Sequence, residues 1–138
     1  MAKLAGSVDA NVLLRLILND VADQHKAAVE LFQYAPGQFA VADVAVIELA
    51  FVLARHYGFT REQIREAIDG VMALAEVNCN RLLFEKVLPL FVKHPKLSFE
   101  DCCLVVYAEL NETEPLWTFD QKLASQTPGA QLVTAAKN

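Results

Sequence analysis

The chain is poor in the residues that announce common chemistries. It holds three cysteines in 138 residues, and two of them, Cys102 and Cys103, are adjacent. An odd count without C-x-x-C spacing is not a disulfide framework, and His25, His56 and His94 add no zinc-ligand pattern. Reduced thiols packing as small apolar groups are expected instead. The five glycines form no phosphate-cradling loop, neither G-x-G-x-x-G nor a Walker pattern. No Ser-His-Asp or Cys-His constellation is present to suggest a nucleophilic hydrolase. No stretch reaches the ~18 uninterrupted apolar residues of a membrane span. Asp9 and Arg15 also interrupt the first apolar stretch, where a secretory core would not carry charge. A cytoplasmic protein without membrane association is therefore expected. Basic residues are in the minority, 12 Lys and Arg against 17 Asp and Glu, for a net charge of −5. That argues against a protein holding nucleic acid by a broad basic surface. It does not exclude a nucleic-acid substrate, because cations bound by clustered acids cancel charge where a phosphate would sit. It also leaves room for a basic protein partner.

Apolar material is plentiful. At 54% hydrophobic, the chain can bury a core, and its length suits one domain over residues 1–138. Segment types alternate. Leu4 to Val8 reads as a short buried strand, and Asn11 to Leu18 as a helix. Asp23 to Tyr34 is a second helix, with Ala27, Ala28, Leu31, Phe32 and Ala35 at helical spacing, ended by Pro36-Gly37. Gln38 to Ala42 can form a second strand, leading into an apolar helix that Gly58 ends. Thr60 to Gln63 is a capping box, followed by a stripe of Ile64, Ala67, Ile68, Val71 and Leu74 or Ala75. Ala75 to Cys79 is a third candidate strand. Arg81 to Val92 is helical, with Pro89 expected to kink or end it. Ser98 opens a helix running to about Leu110. Leu116 to Phe119 is a strand, Gln121 to Ala124 a helical turn, and Gln131 to Thr134 a last strand. This alternation predicts an α/β fold with a parallel sheet and helices on both faces. Ligands in such folds gather beyond the carboxyl ends of the strands, where Asp9 and Asp120 fall. The helices at Asp23–Tyr34 and Thr60–Ala75 carry wide apolar faces, which favours a homodimer.

Four acids stand out. Glu48 is the only charge in the run Val44 to Ala54. A carboxylate buried there without a partner would cost several kcal/mol. It therefore calls for protonation, a cation, or a salt bridge to Arg15 or Arg55. Asp9, with Asn11 close behind, lies between a strand and a helix. Asp101 lies three residues after Ser98, and Asp120 follows Thr118 by two. Helix capping explains each of these three when taken singly. Taken together, four acids at segment ends or in apolar surroundings suggest one site of oxygen ligands for a hard divalent metal.

In order and spacing, four stretches resemble the motifs of PIN domains, and most closely those of VapC-type toxins of toxin–antitoxin pairs. They are Val-Asp9-Ala-Asn11-Val-Leu-Leu-Arg15, Val-Ile-Glu48-Leu-Ala-Phe-Val-Leu, Leu-Ser-Phe-Glu-Asp101, and Trp-Thr118-Phe-Asp120-Gln-Lys-Leu-Ala. The resemblance runs from about Ser7 to Thr134. It implies a three-layer α/β/α sandwich with a central parallel sheet of about four or five strands. It implies a Mg²⁺- or Mn²⁺-dependent ribonuclease with Asp9, Glu48, Asp101 and Asp120 as catalytic, metal-holding acids and Asn11 and Thr118 in support. It further implies an RNA substrate, a homodimer, and a cognate antitoxin as partner. Ala10 departs from the Ser or Thr common between the first Asp and Asn. A PIN-like interaction module that does not cleave, or a nuclease directed at DNA, are the alternatives.

Overall fold

A computed structural model describes residues 4–136. The chain divides into two compact units, Met1–Arg81 and Leu82–Asn138. The chain is a mixed α/β protein with parallel strands, as the alternation predicts. Among the described residues, five strands form two sheets rather than one of four or five.

In the first unit, strand β1 (Leu4–Ser7) is followed by helices α1 (Ala10–Ile17) and α2 (Ala22–Gln33). Strand β2 (Gln38–Ala40), helices α3 (Asp43–Tyr57) and α4 (Arg61–Met72), and strand β3 (Val77–Asn78) complete it. The sheet order is β1-β2-β3, all parallel, with Ser7 opposite Ala40 and Ala40 opposite Asn78. The expectation of a buried first strand fails. Every residue of β1 is exposed or half-buried, and full burial begins at Val8. After Leu4, itself 44% exposed, the strand supplies only Ala, Gly and Ser, and its register shifts between Leu4 and Gly6. Gly6 there takes φ +132°, a value open to glycine.

The helices follow their end signals. Thr60 and Gln63 form the reciprocal capping box of α4, with bonds of 2.8 and 3.2 Å. Gly58 closes α3 in the left-handed region, φ +64°. The core of this unit is built from Leu13, Leu49, Leu53, Ile64, Ile68 and Val77. The apolar stripe of α4 is spent there. On α2, only Ala28 and Phe32 of the predicted stripe are buried, and Leu31 is exposed.

Helix α5 (Arg81–Lys93) leads into the second unit, followed by α6 (Phe99–Leu110), β4 (Leu116–Thr118), α7 (Gln121–Gln126) and β5 (Ala130–Leu132). Strands β4 and β5 pair in parallel. Pro89 does not end α5. The hydrogen bond it forfeits would have gone to the carbonyl of Glu85, an exposed residue whose oxygen water can serve. Phe84, Val87, Leu88, Leu97 and Cys102 form the core here. Phe99 stacks on Phe84 at 6.1 Å and meets Phe91 edge-on at 5.2 Å. Cys102 and Cys103 are buried and Cys79 is half-buried, and none of the three forms a disulfide.

Candidate active site

Asp9, Asn11 and Glu48 belong to the first unit. Asp9 is exposed and caps α1: its Oδ1 accepts the N–H of Val12 at 3.0 Å. Asn11 is exposed in the first turn of the same helix. It lines a groove of about 270 Å³ with Val12, Arg15 and, from α2, Gln24 and Leu31. Glu48 overturns the expectation of a buried carboxylate, because it is exposed. The helix buries Ala45, Val46, Leu49, Ala50 and Leu53 on one side. Glu48 lies on the other, in a row with Val44 and Phe51, which are 70% and 51% exposed. Its charge therefore keeps its water and needs no partner to offset desolvation. The salt-bridge candidates are engaged elsewhere. Arg55 lies over the Phe51 ring, 5.3 Å from its centre, and Arg15 pairs with Asp20 at 2.7 Å.

That Asp20 pair is part of a cluster. Tyr57 at the end of α3 donates its hydroxyl to Asp20 Oδ2 at 2.7 Å, and the Nδ1 of His25 lies 2.6 Å from the Arg15 carbonyl. The hydrogen bond from Tyr57, joined by that from Arg15, holds the Asp20 carboxyl below its ordinary range despite some desolvation. Hydrogen bonding with Tyr57, and then with Asp20, raises the Arg15 guanidinium in turn. The cluster fastens the end of α1 to the loop after it and to the end of α3.

Asp101, Thr118 and Asp120 belong to the second unit. Asp101 forms the capping box of α6 with Ser98. Its Oδ2 accepts the Ser98 N–H at 3.2 Å, and the Ser98 hydroxyl accepts the Asp101 N–H at 3.0 Å. Asp120 caps α7 by accepting the N–H groups of Lys122 and Leu123 on Oδ1, at 2.9 and 3.2 Å. The Thr118 hydroxyl accepts the Asp120 backbone N–H at 2.9 Å. Thr118 and Asp120 are thus brought together at the carboxyl end of β4.

Each capping acid commits one oxygen to its helix: Oδ1 of Asp9, Oδ2 of Asp101 and Oδ1 of Asp120. The cap leaves the second oxygen over. Capping and ligand binding are therefore compatible at all three positions. Among the described residues, no group of three or more His, Cys, Asp or Glu side chains gathers closely enough to hold a metal ion.

One feature of the first unit has no counterpart in the sequence reading. A crevice of about 400 Å³ opens at the carboxyl ends of β1, β2 and β3, lined by Ser7, Ala40, Ala42, Asn78 and Asn80 among others. Asp43, the first residue of α3, accepts a hydrogen bond from the Asn80 carboxamide at 3.3 Å. The signal available in the sequence was Asn-Cys-Asn directly after Val77, a polar exit from a strand.

The chain matches the PIN domain over residues 7–127, across both units. It belongs to the PIN domain family. No curated protein matches it. PIN domains are generally nucleases and typically use divalent metal ions, so a nuclease-type hydrolase fold is present here. The donors of this PIN domain suit such an ion in kind, being carboxylate oxygens with hard-ligand character. Mg²⁺ retains several waters and is commonly held by only one or two carboxylates. A three-acid cage is not required, so the residues fit in donor type. No helix among the described residues is long and apolar enough to cross a membrane.

Proposed function

We propose that this PIN domain is a Mg²⁺- or Mn²⁺-dependent endoribonuclease, the toxin of a VapBC-type toxin–antitoxin pair. The observation carrying the reading is the set of acids in a PIN domain: three of them hold a helix end with one carboxylate oxygen and keep the other. Asp9, Glu48, Asp101 and Asp120 are the residues that would hold the cation. When bound, a divalent ion activates water and neutralises charge on the phosphate. The chain's own contributions are orientation and proton handling. The caps aim Asp9, Asp101 and Asp120. The Thr118 hydroxyl accepts the Asp120 N–H and has its own proton to donate. Glu48, exposed and unconstrained by a cap, offers a hydrated carboxylate that can take a proton from water.

The test sets RNA and DNA side by side with Mg²⁺, Mn²⁺ or a chelator, using wild type and Asp9→Asn. RNA cleavage that needs metal and Asp9 is expected. Cleavage insensitive to both, or confined to DNA, sinks the reading. Expression of the wild type should arrest growth, and Asp9→Asn should relieve the arrest.

The partners follow the same reading. A cognate antitoxin is proposed to insert an arginine-bearing segment among the acids, where a guanidinium can bind a carboxylate by two parallel hydrogen bonds. The net charge of −5 suits a basic partner. Inhibition unchanged after the partner's arginines become alanine would count against this. Homodimerisation is also proposed, with support from Leu31 and Tyr34 exposed on and beside α2. A monomeric mass by light scattering at micromolar concentration would refute it.

A further inference from the structure

We infer that Trp117 and Phe119 form a stacking platform for the bases of single-stranded RNA, seating the strand beside Asp120. That this strand is a substrate rests on the nuclease reading above; the platform itself does not. Strands β4 and β5 set Leu116 opposite Ala130, Trp117 opposite Gln131 and Thr118 opposite Leu132. Side chains alternate between the two faces of such a pair. One face carries Leu116, Thr118, Ala130 and Leu132, all buried or half-buried. The other carries Trp117 and Gln131, both exposed. Trp117 is 62% exposed, and Phe119, just past the strand end, is 80% exposed, the most of any large apolar side chain among the described residues.

Single exposed apolar residues are common and need no explanation. Two aromatics that flank Thr118 and lead directly into Asp120 are a different case. Extended backbone rises ~3.3 Å per residue, so positions two apart are separated by ~6.6 Å. That is about two repeats of the ~3.4 Å base stack, which leaves one base for each ring. Asp120 spends only Oδ1 on its helix. A phosphate drawn to a cation there has its neighbouring bases within reach of the rings. Lys122, exposed at the second position of α7, adds a positive charge for the backbone. The surroundings favour bases over a protein partner. The buried centres of homodimer interfaces are mostly apolar. Here Gln131 lies across from Trp117, and Gln121 and Lys122 follow the acid, all three exposed. Stacking needs only ring faces and a little cationic help, and it accepts any base. Unpaired RNA bases are splayed onto aromatic side chains in this way. An acidic chain gains from such contacts, because ring faces hold RNA without a basic surface.

The experiment is binding of an unstructured RNA of about twelve nucleotides, with Ca²⁺ in place of Mg²⁺ and gels showing the strand intact. An abasic oligomer with the same phosphates is the control. Trp117 is the only tryptophan, so its fluorescence reports stacking directly. Wild type, Trp117→Leu, Phe119→Leu and Trp117→Phe are compared after circular dichroism shows each folded. RNA should quench Trp117, and the abasic oligomer should not. Anisotropy of labelled RNA should show each leucine variant binding on the order of tenfold more weakly, with Trp117→Phe within about threefold of wild type. Equal binding of RNA and the abasic oligomer, or leucine variants that bind like wild type, overturns the platform. Cleavage of RNA by wild type in Mg²⁺ would then leave the nuclease reading standing. Quenching and its loss in the variants, in a wild type that cuts no RNA, support the platform and sink the nuclease reading. A dimer that becomes a monomer in Trp117→Leu, with RNA affinity unchanged, assigns the rings to a second copy and overturns the inference.

Discussion

Replacing Asp120 in two ways separates the two roles assigned to it. Its Oδ1 accepts the N–H groups of Lys122 and Leu123, two of the unpaired donors at the start of α7. Asp120→Ala removes that acceptor and should cost about 1 kcal/mol, the usual loss of an N-cap, with ~2 as a ceiling. Asn caps about as well as Asp, so Asp120→Asn should cost only a few tenths of a kcal/mol, from the lost charge near the helix dipole. The assay is urea unfolding in metal-free buffer, followed by circular dichroism and by fluorescence of Trp117, the only tryptophan. With equal slopes, the midpoints report stability directly. Adding Mg²⁺ should then stabilise the wild type by RT ln(1 + [Mg²⁺]/Kd), and both variants less. If Asp120→Asn falls as far as Asp120→Ala without metal, the capping argument is wrong. If all three gain equally from Mg²⁺, Asp120 is not a ligand.

Three further outcomes are expected. Leu53 is fully buried, and Leu53→Ala should lose about 2–5 kcal/mol in the same unfolding assay; a loss under 1 kcal/mol would mean that the core collapses around the gap. Gly58→Ala places a Cβ at φ +64° and should cost about 1–2 kcal/mol, with Gly58→Asn milder; equal stability of all three would show that the helix ends differently. The Asp20 carboxyl is held below its ordinary value of 3.8, by Tyr57 first and Arg15 next. Its contribution is therefore present above pH 3.8 and lost as pH falls through the lowered folded value. Asp20→Asn and Tyr57→Phe should both flatten the acid limb of the stability profile below about pH 4. An acid limb identical to wild type in both variants would dispose of this.

What the sequence disclosed was mostly local. Thr60 with Gln63, Ser98 with Asp101, and Gly58 each act within one helical turn, so their patterns are readable without a fold. The helices accordingly lie within three residues of their predicted ends. Glu48 was misread because an unbroken apolar run does not say which side of a helix is covered. That depends on neighbours distant in sequence, and here Val44 and Phe51 stay outside with it. The Asp20–Tyr57 bond spans 37 residues and left no local mark. The third strand shrank to Val77 and Asn78, too short for periodicity to register. At the candidate site, capping and metal binding favour the same acids at the same segment ends. The sequence nominates these residues, while which oxygen each commits to its helix required coordinates.

The caps also bear on how the acids would meet a cation. An exposed aspartate ordinarily samples several rotamers, and a ligand must select one, at an entropic cost. Asp9, Asp101 and Asp120 have largely made that selection on folding, because each is tied by one oxygen to backbone N–H groups. Glu48, with three free torsions and no cap, has not. The acids therefore divide into three preset arms and one that must be recruited. The aim of the preset arms is only as steady as the first helical turn holding them. Helix α7 has six residues, fewest of the seven helices among the described residues, so Asp120 is the arm whose direction would wander first when its helix frays.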